Sequence, residues 1–170
     1  MAGQEQDYGD QGTSSCRIET DMLAYLSEQN LSSLTNLTLL SIQSNRLTSA
    51  SLAHLSALPN LTDLYISHNA IDSLEPLSSS HSLHIIDVSS NPITSLRGLE
   101  THKEIEEVWA SNCQLGSFEE VEEVLTDKTD LTTVYFEGNP LQLRQPVLYR
   151  NKVKLALPNI RQIDASKSTA

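Results

Sequence analysis

The chain has 170 residues, with 22 acidic side chains against 11 basic ones and a formal net charge of −11. That length suits one domain, and the acidic balance sets aside nucleic acid and anionic membrane as main partners, since both reward basic surfaces. Aromatic residues make up 5% of the chain while leucines number 26, a composition that predicts a repeated packing layer rather than an irregular enzyme core. Two cysteines, Cys16 and Cys113, cannot build a disulfide framework. No apolar run approaches the roughly 20 residues that cross a bilayer, and the polar start reads as no secretory signal, so a reducing compartment is expected.

Residues 1–19 are rich in Gly, Gln, Ser and acids and read as a disordered leader. Residues 20–30 read as a short helix, capped by Thr20 and carrying Met22, Leu23, Tyr25 and Leu26. Leu31-Ser32-Ser33-Leu34 then looks like the tail of a repeat whose strand is missing, and Cys16-Arg17-Ile18 like the remnant of an Asn-x-Ile rung. Two outcomes stay open for this end: the short helix covers the first repeat, or the edge is exposed and self-associates.

Residues 31–141 carry one frame five times. Leu37-x-x-Leu40-x-Ile42-x-x-Asn45-x-Leu47 recurs from Leu61, from Leu83, from Ile105 and from Leu131, with the Asn/Cys position at Asn45, Asn69, Asn91, Cys113 and Asn139. A period of this length with this spacing is the signature of leucine-rich repeats. The step of two between Leu64 and Ile66 is strand periodicity and turns both side chains to one buried face. The Asn follows where the chain leaves the strand, and its amide can both donate to and accept from backbone groups unpaired by that turn. Stacked copies predict a ladder, softer at Cys113 because a thiol is a weaker donor. Leu52 and Leu55, Leu74 and Leu77, and Leu96 and Leu99 predict single helical turns on the convex side.

Between repeats four and five, Phe118, Val121, Val124 and Leu125 follow helical spacing, with Glu119, Glu120, Glu122 and Glu123 expected on a solvated face. Residues 142–165 read as a C-terminal cap. Leu148, Val153, Ala156 and Leu157 recur at helical intervals, Pro158 stops the helix, and Ile160 and Ile163 complete a final turn. Residues 166–170 are left as a tail. Over residues 141–170 six bases face one acid, a net +5 beside −13 over residues 21–140. Salt bridges from this basic end to the acidic helix are expected. The fold class is therefore α/β: a solenoid of about five repeats with a parallel concave sheet, short convex helices or turns, and a helical cap.

No catalytic constellation stands out. The six glycines are isolated, no serine sits in a nucleophile elbow, and His81 and His84 lack a third ligand at sensible spacing. His68 and His84 read as surface or turn residues, an enzyme is not expected, and neither is a cofactor or a metal. In such a fold function lives on the strand residues that alternate with the buried ones. These are Leu39, Ser41 and Gln43; Asp63, Tyr65 and Ser67; Ile85, Asp87 and Ser89; Glu107, Trp109 and Ser111; Thr133, Tyr135 and Glu137. The only Trp and two of the five Tyr stand there among Asp63, Asp87, Glu107 and Glu137, with no Lys or Arg. Aromatic anchors ringed by acids predict an interface with a basic protein surface. Five strands span about 19 Å, at the lower end for a stable interface.

Leu39-Leu40-Ser41-Ile42-Gln43-Ser44-Asn45-Arg46-Leu47, Asp63-Leu64-Tyr65-Ile66-Ser67-His68-Asn69, Thr133-Val134-Tyr135-Phe136-Glu137-Gly138-Asn139-Pro140-Leu141 and the ending from Tyr149 to Ala165 resemble the leucine-rich-repeat regulatory subunit of type 1 protein phosphatase. The resemblance covers about residues 31–165, not the first 30, and the family carries further repeats before this stretch. It implies a non-catalytic subunit, nuclear and cytoplasmic, that binds the phosphatase catalytic subunit through the concave face. The family's acidic and aromatic contact positions match Asp87, Glu107, Trp109 and Tyr135; Asp63, Tyr65 and Glu137 come from strand geometry alone. The runner-up is a generic leucine-rich-repeat adaptor of spliceosomal or axonemal type. A hydrolase using a serine or the His81/His84 pair is the third reading.

Overall fold

The computed structural model describes residues 14–17, 34–80 and 83–167. Most of the leader, the expected helix at residues 20–30, His81 and the last three residues lie outside the described residues.

Short parallel strands stack in chain order: β1 (Ser14–Arg17), β2 (Leu37–Ser41), β3 (Asp63–Tyr65), β4 (Ile85–Asp87), β5 (Glu107–Trp109), β6 (Thr133–Tyr135) and β7 (Gln162–Ile163). A last strand, β8 (Ser166–Lys167), returns antiparallel beside β7. Along the stack Leu40, Leu64, Ile86, Val108, Val134 and Ile163 are in register, all with negligible exposure. This is the buried row that the two-residue step assigns. Pairing continues beyond the strands: Ile42 N donates to Tyr65 O at 2.8 Å and Ser44 N to Ser67 O at 3.0 Å, and later repeats copy both bonds.

The N-terminal reading needs two corrections. The leader contains a strand, because Ser14–Arg17 pairs parallel with β2. Cys16 stands opposite Leu40, the inward register position, and not opposite Asn45. It therefore belongs to the strand of the repeat that had looked strandless, not to a rung. The tail reading also changes, since residues 166 and 167 extend the sheet.

The ladder forms as the frame requires. Asn69 Nδ2 donates to Ile42 O and Ile66 O at 2.9 Å, and its Oδ1 accepts from Leu47 N at 3.1 Å. Asn91 and Asn139 repeat this triple bond one and three repeats later. Each amide thus binds its own turn to the preceding repeat. Cys113 reaches Val88 O at 3.5 Å and Ser111 O at 3.6 Å, and has no oxygen with which to accept. Burial pushes its thiol up to about 11. The residue before each rung adopts positive φ: Ser44, His68, Ser90, Asn112 and Gly138. Only the last is glycine, and a Cβ there would meet Asn112 Oδ1 at 2.2 Å.

On the convex side α1 (Ser49–Leu52) runs into a 3₁₀ turn (Ala53–Ala57), and a second 3₁₀ turn spans Glu75–Ser79. These bury Leu52, Leu55 and Leu77 as the spacing of three predicts. Next along each convex turn come Leu58, Ser80, His102 and Lys128, the last two buried and unforeseen in the sequence. His102 accepts from Leu83 N at Nδ1 (3.2 Å) and donates from Nε2 to Leu77 O (3.0 Å), so a side chain joins two repeats.

The acidic stretch forms α2 (Phe118–Leu125), capped by Ser117 Oγ accepting from Glu120 N at 3.1 Å, with Val121, Val124 and Leu125 buried. Its acids are not all solvated, which corrects the sequence reading. Glu120 turns back to the preceding repeat and accepts from Ser95 Oγ and Leu96 N, both at 2.8 Å. The described ion pair of this helix is Arg97–Glu123, again from the preceding repeat; from the cap, Lys152 lies over the Phe118 ring at 5.2 Å.

The cap consists of α3 (Pro140–Leu143), α4 (Tyr149–Ala156) and the β7–β8 hairpin. Tyr149, Val153, Ala156 and Leu157 face inward, whereas Leu148 is 51% exposed. Val153, Ala156 and Leu157 keep the expected phase, but Tyr149 takes the inward place expected of Leu148, and its hydroxyl donates to Asp164 Oδ1 at 3.1 Å. Ile163 lies in a strand rather than a turn. Asp164 Oδ1 also accepts from Phe136 N (2.9 Å) and Glu137 N (3.1 Å). In earlier repeats the N–H equivalent to that of Phe136 bonds a carbonyl of the next strand, as Ala110 N bonds Tyr135 O. A carboxylate replaces that carbonyl where the repeats stop.

Candidate functional site

The register arranges the concave side chains in rows. The first is Leu39, Asp63, Ile85, Glu107, Thr133 and Gln162; the second is Ser41, Tyr65, Asp87, Trp109 and Tyr135. Gln43, Ser67, Ser89, Ser111 and Glu137 follow just beyond the strands. Because the alternating residues are consumed by the core, these side chains have only the concave side to occupy.

Trp109 is the centre of the second row. Its ring lies 5.4 Å from Tyr135 (interplanar angle 61°) and 5.9 Å from Tyr65 (72°), edge-to-face in both cases. Tyr65 and Trp109 stand two strands apart, about 10 Å at ordinary strand spacing, so the rings lean together above Asp87. That carboxylate is only 6% exposed, accepting from Ser89 N at 3.0 Å and from Gln43 Nε2 at 3.5 Å. Trp109 Nε1 donates to Glu107 Oε2 at 2.8 Å, and Gln162 Nε2 from β7 donates to Tyr135 Oη at 2.5 Å. The polar atoms of Trp109 and Tyr135 are thus fixed, and ring faces and carboxylate edges remain for a partner.

The field of this face is negative. Burial raises the Tyr65 hydroxyl pKa, and Asp63, Glu107 and Asp87 raise it further. Burial also raises Asp63, opposed by the nearby His84. His84 lies at the surface, one of the two places the sequence allows it, with Nε2 3.3 Å from Glu104 and Nδ1 3.9 Å from Glu106.

The structure therefore brings Asp63, Tyr65, Asp87, Glu107, Trp109 and Tyr135 onto one surface, with Glu137 exposed at its lower margin. Asp87 departs from the expected open anchor, since the rings cover it. Sequence reasoning missed Gln162 and gave no role to His84. The signal for Gln162 was present in Ile160-x-x-Ile163, which repeats the first step of the frame and makes residue 162 a concave position. Among the described residues no group of three or more His, Cys, Asp or Glu side chains is placed to hold a metal ion, and no helix is long and apolar enough to cross a membrane.

The family described as leucine rich repeats (2 copies) matches residues 35–79 and 59–101. The chain is 58% identical over 64 residues to protein phosphatase 1 regulatory subunit SDS22 of Schizosaccharomyces pombe, covering 38% of this chain and 19% of that protein. It is 52% identical over 52 residues to human protein phosphatase 1 regulatory subunit 7, covering 31% and 14%. The matched stretches thus span less than a fifth of those relatives' length. Among solved structures, an internalin from Listeria monocytogenes superposes with a TM-score of 0.64 at 18% identity, covering 89% of this chain and 46% of that one. A leucine-rich-repeat protein of Leptospira interrogans gives 0.62 at 21%, covering 79% and 33%. Both show the fold alone. The chain is a leucine-rich-repeat solenoid that, over part of its length, is similar to the regulatory subunits of protein phosphatase 1.

Proposed function

We propose that this chain is a non-catalytic subunit, nuclear and cytoplasmic, that binds the catalytic subunit of a type 1 protein phosphatase through its concave face. The observation that carries the reading is the second row: Trp109 clasped between Tyr65 and Tyr135 inside a field of carboxylates without a Lys or Arg. Trp109 and Tyr135, held by their own hydrogen bonds, lose little freedom on binding, which is the property of interface anchors. The surrounding acids select a basic surface and speed the encounter with it. The names of the relatives supply the partner class.

Titration calorimetry of the chain against the phosphatase catalytic subunit tests this. Binding is expected, weaker by at least about tenfold in Trp109→Ala and declining with salt because exposed charges are screened. A folded, monomeric wild type that releases no heat would overturn the proposal, as would equal affinity in Trp109→Ala.

A further inference from the structure

Among the described residues the exposed large apolar side chains are Leu143 (66%), Val147 (89%), Leu148 (51%) and Leu155 (78%), all on the C-terminal cap. We propose that the outer face of this cap is a second docking surface, for an acidic amphipathic segment of a partner protein.

A solenoid cap presents a polar outer face to water, and this one sets four exposed apolar side chains among its polar ones. Residues 143–148 are exposed without a break, yet the segment is held by backbone bonds. Arg144 N donates to Pro140 O, Gln145 N to Gln142 O, Leu148 N to Gln145 O and Tyr149 N to Gln145 O, at 2.9–3.1 Å. The apolar side chains therefore stand on a fixed platform. Leu148 has helical φ and ψ at the start of α4, so Leu148, Asn151, Lys152 and Leu155 fall at i, i+3, i+4 and i+7 on one stripe. On that stripe Leu148 and Leu155 offer apolar contacts two turns apart, with Asn151 and Lys152 between them, a spacing that a short amphipathic partner helix can match.

Charge fixes the class of partner. Between Glu137 and Asp164 the sequence holds no acid, while Arg144, Arg150, Lys152, Lys154 and Arg161 lie there, and Asp164 itself is buried. The surface thus has the opposite sign to the concave face and suits a segment that combines leucine-like residues with acids. A second copy does not fit. Pairing cap on cap sets like charges together, and the acidic surfaces elsewhere among the described residues offer no exposed large apolar side chain. A bilayer fits poorly, because a net charge of −11 repels anionic lipid and four side chains bury little area.

The test uses a labelled synthetic helical peptide with leucines at i, i+3, i+4 and i+7 and glutamates between them, titrated against the full chain by fluorescence anisotropy. Binding is expected, with a loss of about tenfold in the double variant Val147→Ser/Leu148→Ser, in Leu155→Glu and in Arg144→Glu. Arg46→Glu, which makes the same charge change at the other end, leaves binding unchanged. Thermal melts confirm that these surface variants remain folded. The proposal is overturned if the glutamate peptide does not bind or if a lysine counterpart binds equally well. It also fails if Leu155 mediates dimerisation in sedimentation, or capture by phosphatidylserine vesicles.

Discussion

At Asn139 the ladder amide makes three bonds, to Ala110 O, Phe136 O and from Leu115 N, and the residue is fully buried. Among the described residues the same amide at Asn45 reaches only Gln43 O, at 2.9 Å, and its buried Oδ1 finds no partner there. The sequence frame is identical at both rungs, but of the repeat before Asn45 only β1 and residues 34–36 are described. A ladder Asn takes two of its three bonds from the preceding repeat, so a rung is worth what lies before it. The far edge differs as well. Past β6, beside the two-residue β7, the carboxylate of Asp164 takes the place of the next strand's carbonyl, and Tyr149 fixes that carboxylate. The C-terminal end is closed by side chains chosen for the purpose, and the opening rung has no equivalent among the described residues.

The sharpest way to break this comparison is to remove the amide at each end. Asn139→Ala strands two carbonyls and one N–H, and a loss of about 3–5 kcal/mol is expected. Asn45→Ala deletes an oxygen with no partner among the described residues and is expected to cost about 1 kcal/mol or less. Urea titrations followed by circular dichroism measure both, and equal losses would refute the dependence on the preceding repeat. Asp164→Ala is next, with about 2–4 kcal/mol expected from two stranded N–H groups and the unpaired Tyr149 hydroxyl. Tyr149→Phe, which removes one bond and keeps the packing, should lose about 1 kcal/mol in the same titration. If Tyr149→Phe proves the more damaging variant, the closure rests on the ring and not on the carboxylate.

The loss at the thiol rung depends on pH and is absent at neutral pH. Burial raises the Cys113 pKa from 9.0 to about 11 in the folded chain. The unfolded thiol ionises first, so the unfolded state gains as pH rises. The stabilisation is complete below pH 9 and is lost progressively up to about 11, by roughly 2–3 kcal/mol at most. Melting temperatures recorded across that window should fall more steeply for the wild type than for Cys113→Asn, which has no proton to lose. Parallel curves would show that the thiol does not titrate differently on unfolding.

Most of this architecture was legible in the residues alone. The frame from Leu37 to Leu141 names the core, the rungs and the concave positions, because periodicity reports which way a side chain points. The helix at Phe118–Leu125 was legible for the same reason. Periodicity is silent about what stands opposite, and each correction arose there. Glu120 follows the pattern of a solvated acid but finds Leu96 N across 24 residues of chain. Asp87 lies in the open row, yet two rings close over it. Tyr149 takes the core place expected of Leu148 because its hydroxyl has a carboxylate to meet, which leaves Leu148 facing water. The sequence by itself determined the repeat, its register and the side chains that compose the concave surface. Only the tertiary structure decided which polar groups pair across repeats and which apolar ones stay outside, since those choices depend on neighbours brought together over 15 to 29 residues.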